Sequence, residues 1–212
     1  EIVPVDANGL AQLPALAESD LLAVSHANNE TGVLQSVAEI VETAHAAGAR
    51  VVCDAMQTAG KLPLPPADFV AVSAHKLGGP PGVGALVVRC TDDFAAIQKG
   101  SGQERGLRGG TENLIGIAGF AAALEARRAD IAWLARAGEL RDRMEARLTA
   151  LGAEVVAASA PRLPTTSMIR MVGVPAATQL IRFDMAGIAV SSGSACSSGK
   201  VGASHVLSAM GM

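Results

Sequence analysis

The fold class is decided by residues 50–76, which read RVVCDAMQTAGKLPLPPADFVAVSAHK. This stretch holds two short apolar runs rich in β-branched residues, Arg50–Cys53 and Phe69–Ala74, and polar side chains follow each run at once. Apolar runs of this length are typical of strands buried inside a parallel sheet. We therefore predict an α/β fold in which polar side chains follow the ends of neighbouring strands.

The segments on either side of this stretch extend the same pattern. Leu21–Ser25 is a further apolar run, and a helix is predicted after it, with Ser36 and Glu39 as a capping box and Gly48 at its end. Val83–Arg89 is predicted as another strand. Only a short Gly/Pro-rich turn precedes it, which is too short for a crossover helix, so this strand is expected to run antiparallel to its predecessor.

The second half of the chain has a different predicted pattern of helices and strands. The pattern predicts helices over 113–128, 131–151, 176–186 and 205–210, and strands over 153–158, 167–172 and 188–191. We predict a mostly parallel large domain over residues 1–128 and a smaller α+β domain over residues 129–212.

Composition and charge exclude several classes of function. Lys and Arg number 17 and Asp and Glu number 20, so the net charge of −3 provides no basic surface for sequence-independent nucleic-acid binding. The most apolar uncharged stretch, Asn113–Leu124, is shorter than the roughly 20 residues that span a bilayer. The three cysteines form no CxxC pair, which argues against a disulfide framework and a structural zinc site. We expect a cytoplasmic protein that uses no metal and does not bind membranes.

Polar residues follow three successive predicted strands. Ligands of parallel sheets bind outside the carboxyl ends of the strands, so these residues are candidates for one site. Each alone has an ordinary explanation, since an isolated Asp often caps a turn and a single Lys is usually solvated. Their convergence favours a ligand site. The candidates are Asn28, Asn29 and Glu30 after the first strand, Asp54 and Gln57 after the second, and Ser73, His75 and Lys76 after the third.

Five ordered motifs carry a resemblance to a known family. They are HANNETG at 26–32, DAMQ at 54–57, SAHKLGGPPGVG at 73–84, QERGLRGGT at 103–111 and SSGSACSS at 191–198. Together they resemble the motifs of cysteine desulfurases, which are class V aminotransferase-like enzymes of fold type I that use pyridoxal 5′-phosphate. The last motif is the most diagnostic, because related class V aminotransferases generally lack its cysteine.

The resemblance implies a role for each matching residue. Lys76 would bind the cofactor covalently through its amine and then move protons, and Asp54 would pair with the pyridine nitrogen. Gln57 and Asn29 would lie around the cofactor's phenolic oxygen, with Asn29 also near the substrate carboxylate. Ser73 and His75 resemble phosphate contacts. Thr111 resembles a residue that reaches the phosphate of a neighbouring subunit.

Cys196 would be the catalytic nucleophile, taking sulfur from L-cysteine as a persulfide and releasing L-alanine. A lone cysteine is usually a small buried hydrophobe, and that interpretation suits Cys53 and Cys90, which lie in apolar runs. It suits Cys196 poorly, because its neighbours are Ser, Gly and Ala. The length of this segment resembles the subgroup that serves iron–sulfur assembly, which implies a homodimer and a scaffold or other acceptor protein as partner.

Three alternatives remain open from the sequence. One is a non-catalytic fragment or binding module, another is a selenocysteine lyase, and the third is a class V aminotransferase. Related desulfurases also carry a phosphate loop and a ring-stacking His upstream of Leu21, and a substrate-binding Arg beyond Met212. These motifs are not found here, so we expect the chain to correspond to the central portion of a longer enzyme.

Overall fold

A computed structural model describes residues 1–16, 21–89, 94–130, 132–193 and 204–212. The strands are β1 (Leu21–Ser25), β2 (Arg50–Asp54), β3 (Phe69–Ser73), β4 (Gly84–Val88), β5 (Glu154–Val155) and β6 (Ile169–Arg170). The α-helices are α1 (Val37–Ala46), α2 (Leu114–Ala129), α3 (Ala132–Ala150), α4 (Ala176–Met185) and α5 (His205–Ala209). Short 3₁₀ turns cover Ala74–Lys76 and Gln103–Gly106.

The main sheet has four strands in the order β1-β2-β3-β4. β1, β2 and β3 are parallel, whereas β4 is antiparallel to β3, as the short turn before it predicted. The close pairing of β3 and β4 requires glycine at position 84. A Cβ there would lie 2.5 Å from the carbonyl oxygen of Val72, a distance that no side chain tolerates.

Helix α1 buries one face, formed by Val37, Ile40, Val41 and Ala44, and contacts β2. The helix and its end at Gly48, where φ is +77°, agree with the sequence prediction. The predicted capping box is wrong. Ser36 occupies the N-cap position, but its side chain makes no capping hydrogen bond, because its backbone (φ −73°, ψ 68°) is not extended as the motif requires.

The chain divides into two compact units. Unit 1 comprises Glu1–Pro14, Ala27–Gln35 and Ala132–Met212, and unit 2 comprises Ala15–His26 and Ser36–Ile131. The core of unit 1 is built on the buried residues Val33, Val156, Ala157 and Met210. Unit 2 contains the four-stranded sheet with α1 and α2. The predicted boundary near residue 129 stays a prediction.

The predicted strands of the second half are mostly shortened or absent. β5 and β6 form a two-residue antiparallel pair, and β5 ends two residues before Ala157, whose φ of +53° is incompatible with a strand. The strand predicted over 188–191 is wrong, since the structure has no strand there. The amide of Ile188 instead donates to the carbonyl of Phe183 at the end of α4, and Ile188 is half exposed. Among the described residues, no helix is long and apolar enough to cross a membrane.

Candidate functional site

Asp54 lies at the carboxyl end of β2, where its side chain is exposed. Its Oδ1 accepts a hydrogen bond from the amide of Met56 at 2.8 Å, which holds the carboxylate over the start of the following turn. Its backbone carbonyl accepts from the amide of His26 at 2.9 Å, directly beyond β1. Asp54 therefore has a fixed backbone and an accessible carboxylate.

The end of β3 presents three further predicted residues. Ser73 is the last residue of the strand, and its hydroxyl lies 2.7 Å from Nδ1 of His75. His75 and Lys76 are exposed at the end of the 3₁₀ turn. This turn is closed by hydrogen bonds from the amide of Ala74 to Val83 and from the amide of Gly79 to Ala74. A hydroxyl, an imidazole and an amine thus lie within the four residues 73–76, at the end of β3 and in the hydrogen-bonded turn that follows it.

Unit 2 brings these residues to one edge of its sheet. β2 and β3 are adjacent and parallel, with Asp54 opposite Ala71, so both strands deliver their carboxyl ends to the same side. Gln57, half-buried, belongs to the turn that follows β2. Thr111 is exposed, two residues before Asn113, whose side chain caps α2 by accepting from the amide of Gly116. Carboxylate, amide, hydroxyl, imidazole and amine groups are therefore all available in unit 2.

Asn29 belongs to unit 1, where it is exposed in the turn that follows Ala27. The preceding Asn28 organises this turn, because its Oδ1 accepts hydrogen bonds from the amides of Glu30 and Thr31, both at 2.9 Å. The position of Asn29 is thus set by its neighbour's side chain. Cys196 and Cys90 lie outside the described residues.

Cys53 is fully buried in β2. Burial, reinforced by the charge of Asp54, raises the pKa of its thiol to about 12. A thiol with such a pKa is protonated at neutral pH and is a poor nucleophile. The expectation that Cys53 is a structural residue is confirmed.

The structure adds His26 and Thr58 to the residues that shape this edge. Nδ1 of His26 lies 2.9 Å from Oγ1 of Thr58, and the Thr58 hydroxyl lies 3.2 Å from the carbonyl oxygen of Ala55. Burial lowers the pKa of His26, so its ring is neutral at pH 7. His26 begins the first motif and Thr58 directly follows the second, but only their spatial proximity shows that they support the turn after Asp54.

Comparison with known proteins places the chain in a family. The model of the family described as "Aminotransferase class-V" matches residues 1–210. The chain belongs to the aminotransferase class-V family. Enzymes of this family generally use pyridoxal 5′-phosphate.

Individual relatives are cysteine desulfurases and NifS-like proteins. The chain is 42% identical over 196 residues to a cysteine desulfurase of Klebsiella pneumoniae, covering 90% of this chain and 49% of that protein. Its fold superposes on the NifS-like protein from Rickettsia africae ESF-5 with a TM-score of 0.86 at 32% identity, covering 99% of this chain and 59% of that one. These neighbours confirm the predicted fold class.

A third comparison concerns a structure with a bound amino acid, titled "SspA in complex with cysteine". This structure has a TM-score of 0.80 and 27% identity to the chain, and the match covers all of this chain and 62% of SspA. The chain spans about half the length of the curated relatives that it matches.

The residues of unit 2 fit pyridoxal 5′-phosphate by their chemistry. A pyridinium nitrogen needs a carboxylate, which Asp54 provides in exposed form at the end of β2. An aldehyde needs an amine, which Lys76 provides in exposed form at the same edge. The Ser73–His75 pair supplies a hydroxyl and a ring nitrogen suited to phosphate oxygens. These residues thus match the cofactor's ring nitrogen, aldehyde and phosphate in chemical type.

Proposed function

We propose that the protein is a cysteine desulfurase that uses pyridoxal 5′-phosphate, converts L-cysteine to L-alanine and collects the sulfur as a persulfide on Cys196. The observation that carries this proposal is that Asp54 ends β2 and Lys76 lies in the turn directly after the adjacent parallel strand β3, both with exposed side chains. The similarity to desulfurases over most of the chain supports the same reaction. The cofactor, when bound, withdraws electrons from the Cα of the amino acid.

The residues of unit 2 bind the cofactor, and one of them transfers a proton. Asp54 accepts the ring N–H and keeps that nitrogen protonated, and the amide of Met56 restrains the carboxylate in this orientation. Lys76 binds the cofactor aldehyde when substrate is absent, and its free amine moves a proton from Cα when substrate is present. Ser73 and His75 bind the phosphate. Gln57 donates to the phenolic oxygen.

The family resemblance assigns roles to three further residues. Asn29 binds near the phenolic oxygen and the substrate carboxylate, and Thr111 contacts the phosphate of the second subunit of a homodimer. The thiolate of Cys196 attacks the sulfur of the substrate, so an S–S bond forms as the Cβ–S bond breaks. The released electron pair and a proton go to Cβ, and L-alanine leaves. The persulfide then passes to an iron–sulfur scaffold or another acceptor protein in the cytoplasm.

Two measurements on the full-length protein test this function. The first is the mass of the peptide containing Lys76 after incubation with pyridoxal 5′-phosphate and borohydride. The second is the release of alanine and sulfide from L-cysteine in the presence of a thiol reductant. We expect a reduced adduct on Lys76 and equal amounts of the two products.

Matched cysteine variants assign the sulfur step. Cys196→Ala should abolish both products while the adduct on Lys76 persists, and Cys53→Ala should retain turnover because the Cys53 thiol is buried and protonated. Transamination that survives Cys196→Ala would instead assign an aminotransferase. A strong preference for selenocysteine that does not require Cys196 would assign a selenocysteine lyase. Absence of any adduct would assign a non-catalytic binding module.

A further inference from the structure

The side chain of Arg127 connects helix α2 to the turn that carries Lys76. Its Nε donates a hydrogen bond of 2.9 Å to the carbonyl oxygen of Leu77, the residue that follows Lys76. The two partners are 50 residues apart in sequence, and both belong to unit 2. A guanidinium donor makes this a charge-assisted bond, which is stronger than a bond between neutral groups.

Two glycines lie against the side chain of Arg127. A Cβ added at Gly60 would lie 3.5 Å from Cβ and Cγ of Arg127, and one added at Gly78 would lie 3.6 Å from its Nη2. Gly60 follows β2 and Gly78 follows β3. The aliphatic and guanidinium parts of Arg127 are therefore packed against the segments that follow both site-bearing strands.

The turn contacted by Arg127 is otherwise short and locally bonded. The amides of Leu77 and Gly79 both donate to the carbonyl of Ala74, at 3.1 and 2.9 Å, and the Leu77 side chain is buried. These bonds shape the turn but do not attach it to α2. The hydrogen bond from Arg127 provides a polar attachment, beside the close approach of Gly79 to Ala123 of α2.

Electrostatics place a third cation beside this contact. Burial, followed by the charges of Arg127 and Lys76, lowers the pKa of Lys61. Like charges near one another disfavour the folded arrangement unless other interactions compensate. Lys61, Lys76 and Arg127 therefore lie close enough for the charges of the latter two to act on the Lys61 amine.

From these contacts we infer that Arg127 is a positioning residue for Lys76: it holds the Ala74–Gly79 turn against α2 through the Leu77 carbonyl and so fixes the direction of the lysine amine. The inference rests on the proposed function for the role of Lys76. The attachment of the turn is a property of the protein alone, so it can be tested separately from that function.

The first measurement is amide hydrogen exchange over residues 74–79 of the cofactor-free protein. Arg127→Met keeps the aliphatic packing and removes the donor, so exchange at Leu77 and Gly79 should rise about tenfold or more while the sheet amides remain protected. Arg127→Lys keeps the charge but lacks the Nε–H donor, and should raise exchange at the same amides. This milder variant carries the test if Arg127→Met fails to fold.

The matched control is Arg128→Met, which changes an exposed arginine at the next position of α2. It should leave exchange over 74–79 at the wild-type rate. Wild-type exchange in Arg127→Lys, or an equal rise across all of unit 2, would overturn the positioning role.

The second measurement is the rate at which pyridoxal 5′-phosphate forms its visible absorbance band with each protein. Arg127→Met and Arg127→Lys should slow this rate at least fivefold, and Arg128→Met should not. If the wild-type protein forms no band but local exchange responds as expected, the proposed function fails and the attachment of the turn by Arg127 stands. If the band forms at the same rate in all four proteins, Lys76 does not depend on Arg127 and the inference fails.

Discussion

The imidazole of His26 lies 2.9 Å from the hydroxyl of Thr58, joining the residue after β1 to the turn after β2. The Thr58 hydroxyl is positioned to donate to the carbonyl of Ala55 at 3.2 Å, so His26 Nδ1–H is assigned as the donor to Thr58. Because burial lowers its pKa, His26 is neutral and can hold one proton on Nδ1. Through these two hydrogen bonds, His26 and Thr58 stabilise the segment that follows Asp54.

Thr58→Val should remove the hydrogen bonds of the Thr58 hydroxyl without creating a cavity. Thr58 is fully buried and valine has nearly the same shape, so the main change is the loss of both hydrogen bonds. We expect the free energy of unfolding to fall by about 1–3 kcal/mol, the range for a buried group left without its partner. Urea unfolding measures this loss.

Thr43→Val is the control for the Thr58 variant. Thr43 also donates to a carbonyl, that of Glu39, but on the exposed surface of α1. Its replacement should change stability by less than about 0.5 kcal/mol. Equal losses in the two variants would show that the His26–Thr58 contact contributes no more to the free energy of unfolding than an exposed hydrogen bond does.

The carboxylate of Asp68 makes the free energy of unfolding decrease as the pH becomes acidic. Burial opposes its ionisation, but hydrogen bonds from His45, the Val51 amide and Arg50 prevail, and the pKa of Asp68 lies below its usual value. A carboxylate with a lowered folded-state pKa stabilises the fold above its unfolded-state pKa, and that stabilisation is lost as pH falls through the folded-state value.

Asp68→Asn should therefore lower stability at pH 7 and flatten the fall in stability below about pH 4. Urea unfolding across pH 2–7 measures both effects. Asp184→Asn, which replaces an exposed carboxylate of α4, should keep the wild-type slope. An unchanged slope in Asp68→Asn would contradict the linkage.

Glu145 and Arg162 form a two-point ion pair inside unit 1. Arg162 Nη1 and Nη2 donate to the two carboxylate oxygens of Glu145 at 2.7 and 2.9 Å, and Ser167 donates to the same carboxylate at 2.6 Å. The hydrogen bonds that Arg162 donates to Glu145 lower the pKa of the Glu145 carboxyl group and raise the pKa of the Arg162 guanidinium. The Arg162 side chain is only 6% exposed.

Glu145→Ala should be strongly destabilising, because it leaves the Arg162 guanidinium buried without its carboxylate. We expect a loss of about 3–5 kcal/mol in the free energy of unfolding, the range for breaking a buried pair on one side. Glu139→Ala removes an exposed glutamate from the same helix and should cost less than about 0.5 kcal/mol. A loss below about 1 kcal/mol for Glu145→Ala would contradict the buried-pair account.

Ser204 connects the start of α5 to Glu30 within unit 1. Its hydroxyl donates to Oε2 of Glu30 at 2.6 Å and accepts from the amide of Leu207 at 3.2 Å. Ser204 is therefore both the hydrogen-bond partner of Glu30 and the N-cap of α5. Glu30 is 7% exposed, and its Oε1 has no hydrogen-bond partner among the described residues. The Glu30 carboxyl group thus depends strongly on Ser204.

Ser204→Ala should lower stability by about 2–3 kcal/mol, since it removes the cap and the bond to a buried carboxyl group. Ser208→Ala removes an exposed hydroxyl that donates to the Ser204 carbonyl, and should have little effect. Thermal unfolding of both variants compares them directly. Equal melting temperatures would show that Glu30 is satisfied without Ser204.

Much of the fold and site could be predicted from local patterns. The β-branched runs in β2 and β3 predicted parallel strands, and the short turn before β4 predicted its antiparallel direction, because side-chain spacing and loop length act over few residues. The motifs also identified Asp54 and Lys76. Ile188–Ser191 was predicted as a strand, but its first amide is used to end α4, a competition that an apolar run does not reveal.

The sequence by itself determined the fold class, the family motifs and the identities of the candidate site residues, because each depends on residue type and short spacing. Only the tertiary structure decided which distant residues support them. His26 reaches Thr58, Arg127 reaches Leu77 and Ser204 reaches Glu30 across 32, 50 and 174 residues. Contacts over such separations depend on how elements pack, and that information is absent from any local pattern.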